Sequence, residues 1–483
     1  MKRYSIAFIF LMVFPLFAIG QTFTITSSDR NHISLHFELD DFSMDTIRCN
    51  GELMHTIAAK GIVMPNDYGQ PDLPTFNRFI AIPQGAKAIV EVRTTRDERI
   101  PGVNIAPSIG SQCENEAERP FFKDPNVYAT NAFYPSEAVQ TTEHQSLRGV
   151  DVIHLGICPV QFNPMTRELA VHRQIDIDIR FEGGNGHFGD DRLRSRYWDP
   201  ILRNNILNYE CLEPIDYDAR MQQWSQNRPT GCEYLIITPD NDDFYNAGKE
   251  LADYRNKQGI LTKVMRVTET GASDHLTLRQ WIRDVYANWN IPPAAVCIIG
   301  ESGTNLQQYV PGYRTLHPKD NFITSDNPYA DINDDHLPDI CFSRILAQNE
   351  SELPIFISKL MEYEYTNVVT DPYYYAHPLT AAAWQNANWF QITIATISGY
   401  LTQHGKFPER INEIYSGEQG SNWSTGPGTA TIVNYFGPDG VGYIPATPGE
   451  LGGWTGGNAD QVIRAINHGA YLIQHRDHGW NTK

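Results

Sequence analysis

The sequence predicts a β-rich, sandwich-like antiparallel domain followed by an α/β domain whose sheet is mostly parallel. From residue 21 to about residue 184, short runs alternate apolar with polar residues and are separated by Gly, Pro and Asn, as in antiparallel strands with one buried face. After Gly231, fully apolar strands alternate with amphipathic helices, as in a parallel sheet covered on both faces. The chain has 483 residues, 41 % of them hydrophobic, which is ample for several folded domains and excludes general disorder.

The N-terminus has the pattern of a signal peptide over residues 1–20. Lys2 and Arg3 precede an apolar run, and Ala18-Ile19-Gly20 supplies small residues at the −3 and −1 cleavage positions. The alternative is a buried N-terminal helix. No later stretch reaches about 18 uninterrupted apolar residues, so we expect no transmembrane segment in the mature chain. These observations predict a secreted or cell-surface protein.

The β-rich domain is predicted over residues 21–190 and a linker over residues 191–230. The linker prediction rests on helix-like pieces that are interrupted by Pro and Asn. The β-rich part offers no tight cluster of catalytic residue types. Its clearest strand patterns are HISLHFEL, FIAIPQGAKAIVEVR, VDVIHLGICPVQF and ELAVHRQIDIDIRFEGG.

Two α/β units are predicted, at residues 231–370 and 371–483, the second incomplete at its carboxyl end. In the first unit, helices connect the strands CEYLIITP, ILTKVMRV and AAVCIIG, and the strand PDICFSRI is followed by another helix. The second unit restarts with the strand LTAAAW, a helix and the strand INEIY. A Gly-rich loop over residues 416–457 then leads to a last helix and the strand AYLIQH.

Charge and cysteine usage exclude several classes of function. The formal charge of −19 argues against nucleic acid or an anionic membrane as a partner, since both require a basic face. The seven cysteines include no CxxC pair, which argues against a zinc ribbon or a thioredoxin motif. Cys158, Cys297 and Cys341 lie in apolar runs and are predicted to be inert core thiols. Cys211 and Cys232 could form a disulfide in an oxidising compartment.

Candidate catalytic residues follow the predicted strands of the α/β domain, because ligands of such sheets bind beyond the carboxyl ends of the strands. Glu301 follows one strand, and Asp477-His478-Gly479 follows the last. Gly479 would let the backbone approach a substrate closely, so that its N–H could serve an oxyanion. The alternative for His478 is a solvated loop histidine. A third candidate is the acidic stretch over residues 326–339.

Part of that acidic stretch could bind calcium. Asp331, Asn333 and Asp335 place oxygen side chains at alternate positions, and Asp339 follows, which suits a hard cation. The glycine and glutamate of an EF-hand loop are missing, so the alternative is a solvated acidic loop. A zinc hydrolase is a further alternative, from His475 and His478, but no third or fourth ligand follows them.

Several stretches together resemble the gingipain family, cysteine peptidases of the caspase-like clan. In the α/β domain they are YLIITPDNDDF, VCIIGE, FITSDNPYADINDDHLPDICFSRI and GAYLIQHRDHGW. In the β-rich domain GQPDLPTFNRFIAIPQGA, DPNVYATNAFYP and the last two strand patterns resemble that family's propeptide. The resemblance covers most of residues 50–483.

The resemblance implies a caspase-like fold and peptide-bond hydrolysis through a Cys thiolate. It implies that His478 is the catalytic histidine with Gly479 beside it, although Asp477 stands where the family usually has glycine. Glu301 could orient His478, and Asp326 would lie in the primary specificity pocket and select a basic residue. The resemblance also supports calcium binding by the acidic stretch. It implies protein or peptide substrates and export by bacterial secretion machinery. We expect activating cleavage between Arg220 and Met221.

The catalytic cysteine is the part of the family pattern that this sequence does not match. In the family the catalytic cysteine follows the histidine by a few dozen residues, whereas all seven cysteines here precede His478. We therefore expect a piece of a longer precursor that lacks peptidase activity as it stands. The alternative is a catalytically inactive secreted scaffold or sorting protein with a peptidase-like fold.

Overall fold

A computed structural model of the protein describes residues 22–39, 42–59, 66–110, 119–317, 321–365, 369–420, 422–426 and 428–478. The predicted signal peptide, Cys113 and Gly479 lie outside the described residues. Within the described residues, no helix is both long enough and apolar enough to cross a membrane.

The N-terminal part is built from antiparallel strands, which confirms the predicted β-rich domain. Its five-stranded sheet has the order β1–β2–β11–β10, with β6 also paired to β11, and a second sheet joins β7 and β8 to β9 beside β5. The elements are β1 (Thr22–Ser28), β2 (His32–Glu38), β3 (Phe42–Cys49), β4 (Glu52–Ala59), β5 (Phe76–Ala81), β6 (Ala86–Pro101), α1 (Pro125–Tyr128), β7 (Val139–Thr141), β8 (Gln145–Leu147), β9 (Val150–Ile157), β10 (Val160–Asn163) and β11 (Glu168–Gly183).

Alternation along these strands directs one side-chain face into a common core. On β2, Ile33, Leu35 and Phe37 are buried while the residues between them are partly exposed. Strand β11 also alternates, and its buried residues Ile175 and Ile177 pack into the same core. The register between β6 and β11 runs antiparallel from the first to the last residue of each strand, with one interruption.

The segment after this domain is folded for much of its length. It contains α2 (Asp199–Asn205), a short 3₁₀ turn and α3 (Tyr217–Asn227). Trp198 and Leu202 are buried in the core of the β-rich part, so the beginning of the predicted linker packs with the β-rich domain. In contrast, α3 buries no residue, and the predicted cleavage position Arg220-Met221 lies on this surface helix.

The first α/β unit is a four-stranded parallel sheet in the order β13–β12–β14–β17. Helix α4 begins at the side-chain cap Asn241, and α5 begins at Asp274. An antiparallel hairpin, β15 with β16, projects from this unit. The elements are β12 (Tyr234–Thr238), α4 (Asp242–Lys257), β13 (Thr262–Arg266), α5 (His275–Asn288), β14 (Ala295–Ile299), β15 (Tyr313–His317), β16 (Asn321–Ser325), α6 (Asn327–Ala330), β17 (Cys341–Ile345) and α7 (Leu353–Tyr365).

The second α/β unit has three parallel strands in the order β19–β18–β20. The central strand β18 is buried over six of its seven residues. Trp384, Trp423 and Trp454 form the centre of one packing layer. The elements are α8 (Pro372–Ala376), β18 (Leu379–Gln385), α9 (Phe390–Gln403), β19 (Glu409–Ser416), α10 (Thr429–Phe436), α11 (Pro448–Leu451), α12 (Ala459–His468) and β20 (Ile473–Arg476). Both parallel units agree with the predicted fold class.

The cysteines differ in part from expectation. Cys158 and Cys297 are buried, as predicted, and burial raises the pKa of both thiols. Cys341 is exposed, because β17 is the edge strand of its sheet. Cys211 and Cys232 are free thiols: Cys232 is fully buried in the α/β core, and Cys211 lies against the hydroxyl of Ser28. The predicted disulfide is therefore wrong for this structure.

Candidate active site

His478 lies two residues beyond β20, at the carboxyl edge of the second sheet. Because β20 runs parallel to β18, the end of β18 is its neighbour, and the imidazole Nε2 lies 2.9 Å from Oε1 of Gln385. The ring also stands edge-on to Phe390, with 5.0 Å between the ring centroids. The side chain is exposed on its remaining sides.

Gln385 is held in place by the turn between β18 and α9. Its amide oxygen also accepts from Nδ2 of Asn388. The backbone of the turn is fixed by Gln391, a buried side chain whose Nε2 donates to the carbonyls of Gln385 (3.1 Å), Asn388 (3.0 Å) and Trp423 (2.7 Å). Since the amide oxygen can only accept, the imidazole must donate from Nε2, which leaves Nδ1 as the unprotonated nitrogen of the neutral ring.

Asp477 fixes the backbone that carries His478. One carboxylate oxygen accepts the N–H of His478 at 2.6 Å, and the other accepts the hydroxyl of Tyr415 at 2.8 Å. Tyr415 lies near the end of β19, so the last turn is tied to the opposite edge of the sheet. The hydrogen bond to Asp477 raises the pKa of the Tyr415 phenol.

An open cavity of about 550 Å³ lies beside this turn, between the sheet and α12. Its floor is apolar, and Glu413 and Asp477 place two carboxylates on its lining. The apolar part of the lining is formed by Ala381, Ala382, Ala383, Ile411, Val462 and Ile463, and His475 also lines the cavity. Asp477 therefore belongs both to the wall of this cavity and to the turn that carries His478, whereas the imidazole itself lies against Gln385 and Phe390.

Glu301 lies at the carboxyl end of β14, where the sequence predicts it, but its hydrogen-bond partner is not His478. It follows β14 in the first unit, where its carboxylate accepts from Nε2 of Gln348 at 3.0 Å. The side-chain partner of His478 is Gln385 instead. The sequence reasoning missed Gln385, although the rule that directed attention to Glu301 applies equally to the residue that ends the apolar run LTAAAW.

Asp326 is engaged inside the protein. Its two oxygens accept from Nε and Nη2 of Arg344, at 2.7 and 2.9 Å. The guanidinium is 8 % exposed and also donates to the carbonyls of Gly300 and Val310. A carboxylate committed to a bidentate pair is not free to select a basic substrate residue, so this geometry does not favour Asp326 as the specificity group.

The carboxylates of the acidic loop accept hydrogen bonds from backbone N–H groups. Asp331 accepts the N–H groups of Asp334 and His336, while Asp335 accepts those of Leu337 and Ser146. The carboxylate of Asp339 accepts backbone N–H groups as well, and burial raises its pKa to about 6. Among the described residues, no group of three or more His, Cys, Asp or Glu side chains is arranged to hold a metal ion. In this arrangement the oxygens of Asp331, Asn333, Asp335 and Asp339 accept N–H donors, with which calcium would have to compete.

Comparison with known proteins adds the family. The chain is 21 % identical over 369 residues to gingipain R2 of Porphyromonas gingivalis, covering 74 % of this chain and 47 % of that protein. It is 21 % identical over 360 residues to Lys-gingipain of the same organism, covering 71 % of this chain and 19 % of the relative. The chain thus spans less than half the length of these curated relatives.

Two solved structures of gingipains are also similar. A complex of the pro- and mature domains of Porphyromonas gingivalis RgpB matches with 21 % identity and a TM-score of 0.36, over 39 % of this chain and 96 % of that one. The crystal structure of the Arg-specific cysteine proteinase gingipain R matches with 17 % identity and a TM-score of 0.35, over 52 % of this chain and 47 % of that one.

Two family models match in succession along the chain. The first, Propeptide_C25, matches residues 21–213, and the second, described as peptidase family C25, matches residues 227–483, which is more than half of the chain. The exposed helix α3 lies almost entirely between the two matches. The chain belongs to peptidase family C25 and carries that family's propeptide ahead of its peptidase region.

Proposed function

We propose that this protein is the precursor of a gingipain-like cysteine endopeptidase in which His478 is the general acid and base. The observation that carries the proposal is the imidazole at the carboxyl edge of a parallel sheet, held by Gln385 and open to solvent on its other sides. Polypeptides are the substrates, and export precedes activity. A peptidase of this class works outside the cytoplasm only after its propeptide has been displaced.

The geometry supports a specific division of labour for the imidazole. With Nε2 donating to Gln385, Nδ1 is the base that takes the proton of a cysteine thiol. The thiolate then attacks the carbonyl carbon, and the resulting imidazolium returns the proton to the leaving amine as the peptide bond breaks. Water, deprotonated by the same nitrogen, hydrolyses the acyl-enzyme and restores the thiol.

The described cysteines do not supply this nucleophile. Cys158, Cys232 and Cys297 are buried, and burial raises the pKa of each thiol, which opposes thiolate formation. Cys49 ends β3 and Cys211 ends the 3₁₀ turn, both in the propeptide, and Cys341 begins β17 in the first α/β unit. We propose that the nucleophile belongs to a segment of the gene product that follows residue 483, as the order of catalytic residues in the family implies.

The test uses the longest product that the gene encodes. Hydrolysis of peptidyl coumarylamides should be abolished by iodoacetamide and should fall by at least about 10³-fold in His478→Ala. His404→Ala is the matched control, because His404 is an exposed histidine at the end of α9 with a neighbour of its own in Tyr400. Thiol-dependent hydrolysis by the 483-residue chain itself would overturn the assignment of the nucleophile.

One observation favours a second function, a secreted scaffold without catalysis. Gln385 is neutral, and among the residues that the structure describes no carboxylate contacts the ring of His478 to stabilise the imidazolium. If no cysteine of the longest product reacts with a peptidyl chloromethyl ketone, the proposed function becomes that of a scaffold and not of a peptidase. Labelling that depends on His478 would retain the peptidase.

A further inference from the structure

The turn between β8 and β9 carries one arginine from the propeptide into the peptidase region. Arg148 and Gly149 both have positive φ, at 51° and 75°, so the turn projects sharply. A Cβ on Gly149 would lie 2.5 Å from Cδ1 of Leu193, so only glycine fits there. Arg148 is 1 % exposed.

Backbone carbonyls surround the guanidinium group. Nη1 donates to the carbonyls of Pro293 (2.8 Å) and Asp339 (2.9 Å), and Nη2 donates to that of Pro292 (3.2 Å). Nε donates to the carbonyl of Leu193 at 2.7 Å. The ring of Tyr286 lies 5.1 Å from the guanidinium carbon and adds a cation–π contact. We call these four carbonyls the carbonyl cage; those of Pro292, Pro293 and Asp339 belong to the peptidase region, and that of Leu193 belongs to the propeptide.

The hairpin backbone binds the acidic loop beside the cage. The N–H of Arg148 donates to Oδ1 of Asp339 at 3.0 Å, and the N–H of Ser146 donates to Oδ2 of Asp335 at 2.8 Å. The side chain of Gln145 donates to the carbonyl of Asp335 at 3.1 Å. The acidic loop is therefore a docking surface for the propeptide in this structure.

The cage lies away from the candidate active site. Pro292 and Pro293 precede β14, and Asp339 precedes β17, so the guanidinium lies at the amino edge of the first parallel sheet. His478 lies at the carboxyl edge of the second sheet. The contact that holds the propeptide is thus separate from any contact that covers the catalytic groups.

We propose that Arg148 is the anchor that keeps the propeptide bound to the peptidase region after the connecting segment has been cut, and that the carbonyl cage is a guanidinium-specific docking site. Only a planar group with five donors can satisfy this set of acceptors, whereas an ammonium group offers three donors at a single point. A vacated cage leaves buried carbonyls without donors, which makes separation slow. The proposal requires no assumption about hydrolysis by His478.

The experiment cuts the whole chain at one place and times the separation of the two pieces. A recognition site for a specific protease replaces residues in the exposed α3, and native mass spectrometry follows the cut protein after dilution. The wild-type pieces should stay associated, and Arg148→Lys should separate at least about 100-fold faster. Arg180→Lys is the control, because Arg180 is an exposed propeptide arginine paired with Glu91 on the adjacent strand.

Each outcome decides the proposal. Wild-type pieces that separate at once, or an Arg148→Lys protein that separates at the wild-type rate, would overturn it. Far-ultraviolet circular dichroism of the uncut proteins guards against a folding defect. Should Arg148→Lys fail to fold, methylguanidinium added to the cut wild-type protein must speed separation where methylammonium does not, and equal effects of the two cations would overturn the anchor.

Discussion

The hydroxyl of Tyr415 donates to the carboxylate of Asp477 at 2.8 Å, and the other oxygen of that carboxylate accepts the N–H of His478. Two elements at opposite edges of the second sheet, β19 and β20, are thereby joined at the residue that carries the candidate catalysis. This connection depends on Asp477, the position at which the sequence departs from the glycine usual in the resembling family.

Asp477→Ala should loosen this turn without unfolding the sheet. The variant removes both hydrogen bonds, each contributing about 1 kcal/mol, so the N–H of His478 should exchange with solvent several-fold faster. Hydrogen–deuterium exchange of the C-terminal peptide measures this directly. Tyr415→Phe, which removes one of the two bonds, should give an intermediate rate, and unchanged exchange in both variants would contradict the connection.

Gln385→Leu should disorient His478 while preserving the volume of the side chain. Loss of the acceptor for Nε2 frees the imidazole to rotate, so kcat of the longest gene product should fall by about 10- to 100-fold with little change in KM. Gln348→Leu, which removes the partner of Glu301 in the other unit, is the control and should leave kcat unchanged. A larger effect in the control would return the orienting role to Glu301.

Asp326→Asn should strongly destabilise the first α/β unit. The substitution leaves the buried guanidinium of Arg344 without its counter-charge, at a cost of about 3 to 5 kcal/mol in the free energy of unfolding. Urea denaturation measures the loss. Glu91→Gln, which breaks an exposed pair with Arg180, should cost less than about 1 kcal/mol. Normal stability combined with altered cleavage preference would instead support Asp326 as the specificity group.

Asp72→Asn should stabilise the protein at neutral pH. Burial raises the pKa of the Asp72 carboxyl from 3.8 to about 6, so its ionised form is disfavoured in the folded state. A raised folded-state pKa contributes stability that is complete below about pH 4 and is lost as the pH rises through 6. The variant keeps the acceptor for Nδ2 of Asn66 and carries no charge.

The difference between the two proteins should therefore depend on pH. Urea midpoints should coincide at pH 4, whereas at pH 8 the Asp72→Asn protein should be more stable by an amount on the order of 2 kcal/mol. If the difference in stability between the variant and the wild type is the same at pH 4 and at pH 8, the proposed rise in the pKa of Asp72 is contradicted.

Calcium should not bind to the acidic loop while the propeptide is docked. The oxygens of Asp331, Asp335 and Asp339 already accept N–H donors, two of them from the propeptide hairpin. Isothermal titration of the whole chain with Ca²⁺ should give no binding at this loop below about millimolar concentration. Binding that disappears in Asp335→Ala would restore the cation site predicted from the sequence.

Local patterns account for what the sequence could predict. The alternation on β2 and the unbroken apolar run of β18 reflect burial on one face and on two faces, which a single stretch of sequence displays. His478 was accessible to the same reasoning, because it follows the last apolar strand. The strand-end rule could also have indicated Gln385, but not its contact with His478, since the two residues are 93 positions apart and become neighbours only through the pairing of β18 with β20.

Long-range pairing also explains the expectations that did not agree with the structure. Asp326 looks like a free carboxylate until Arg344 is brought opposite it by the return of the chain into β17. The runs around Cys341 and Cys297 look alike, but β17 is an edge strand and β14 is a central one. Edge and centre are properties of the assembled sheet and not of either sequence.

The carbonyl cage has a consequence for the order in which the molecule assembles. Arg148 lies 144 to 191 residues before Pro292 and Asp339, so the ribosome completes the hairpin long before the strands that it will meet. Contacts so distant in sequence form slowly, since a long loop must close before they are made. The propeptide can thus be folded before these strands are synthesised. The guanidinium of Arg148 can then bind the residues that precede β14 and β17 and bring the two strands next to each other as they emerge. A peptidase region synthesised alone would have to find that register without it.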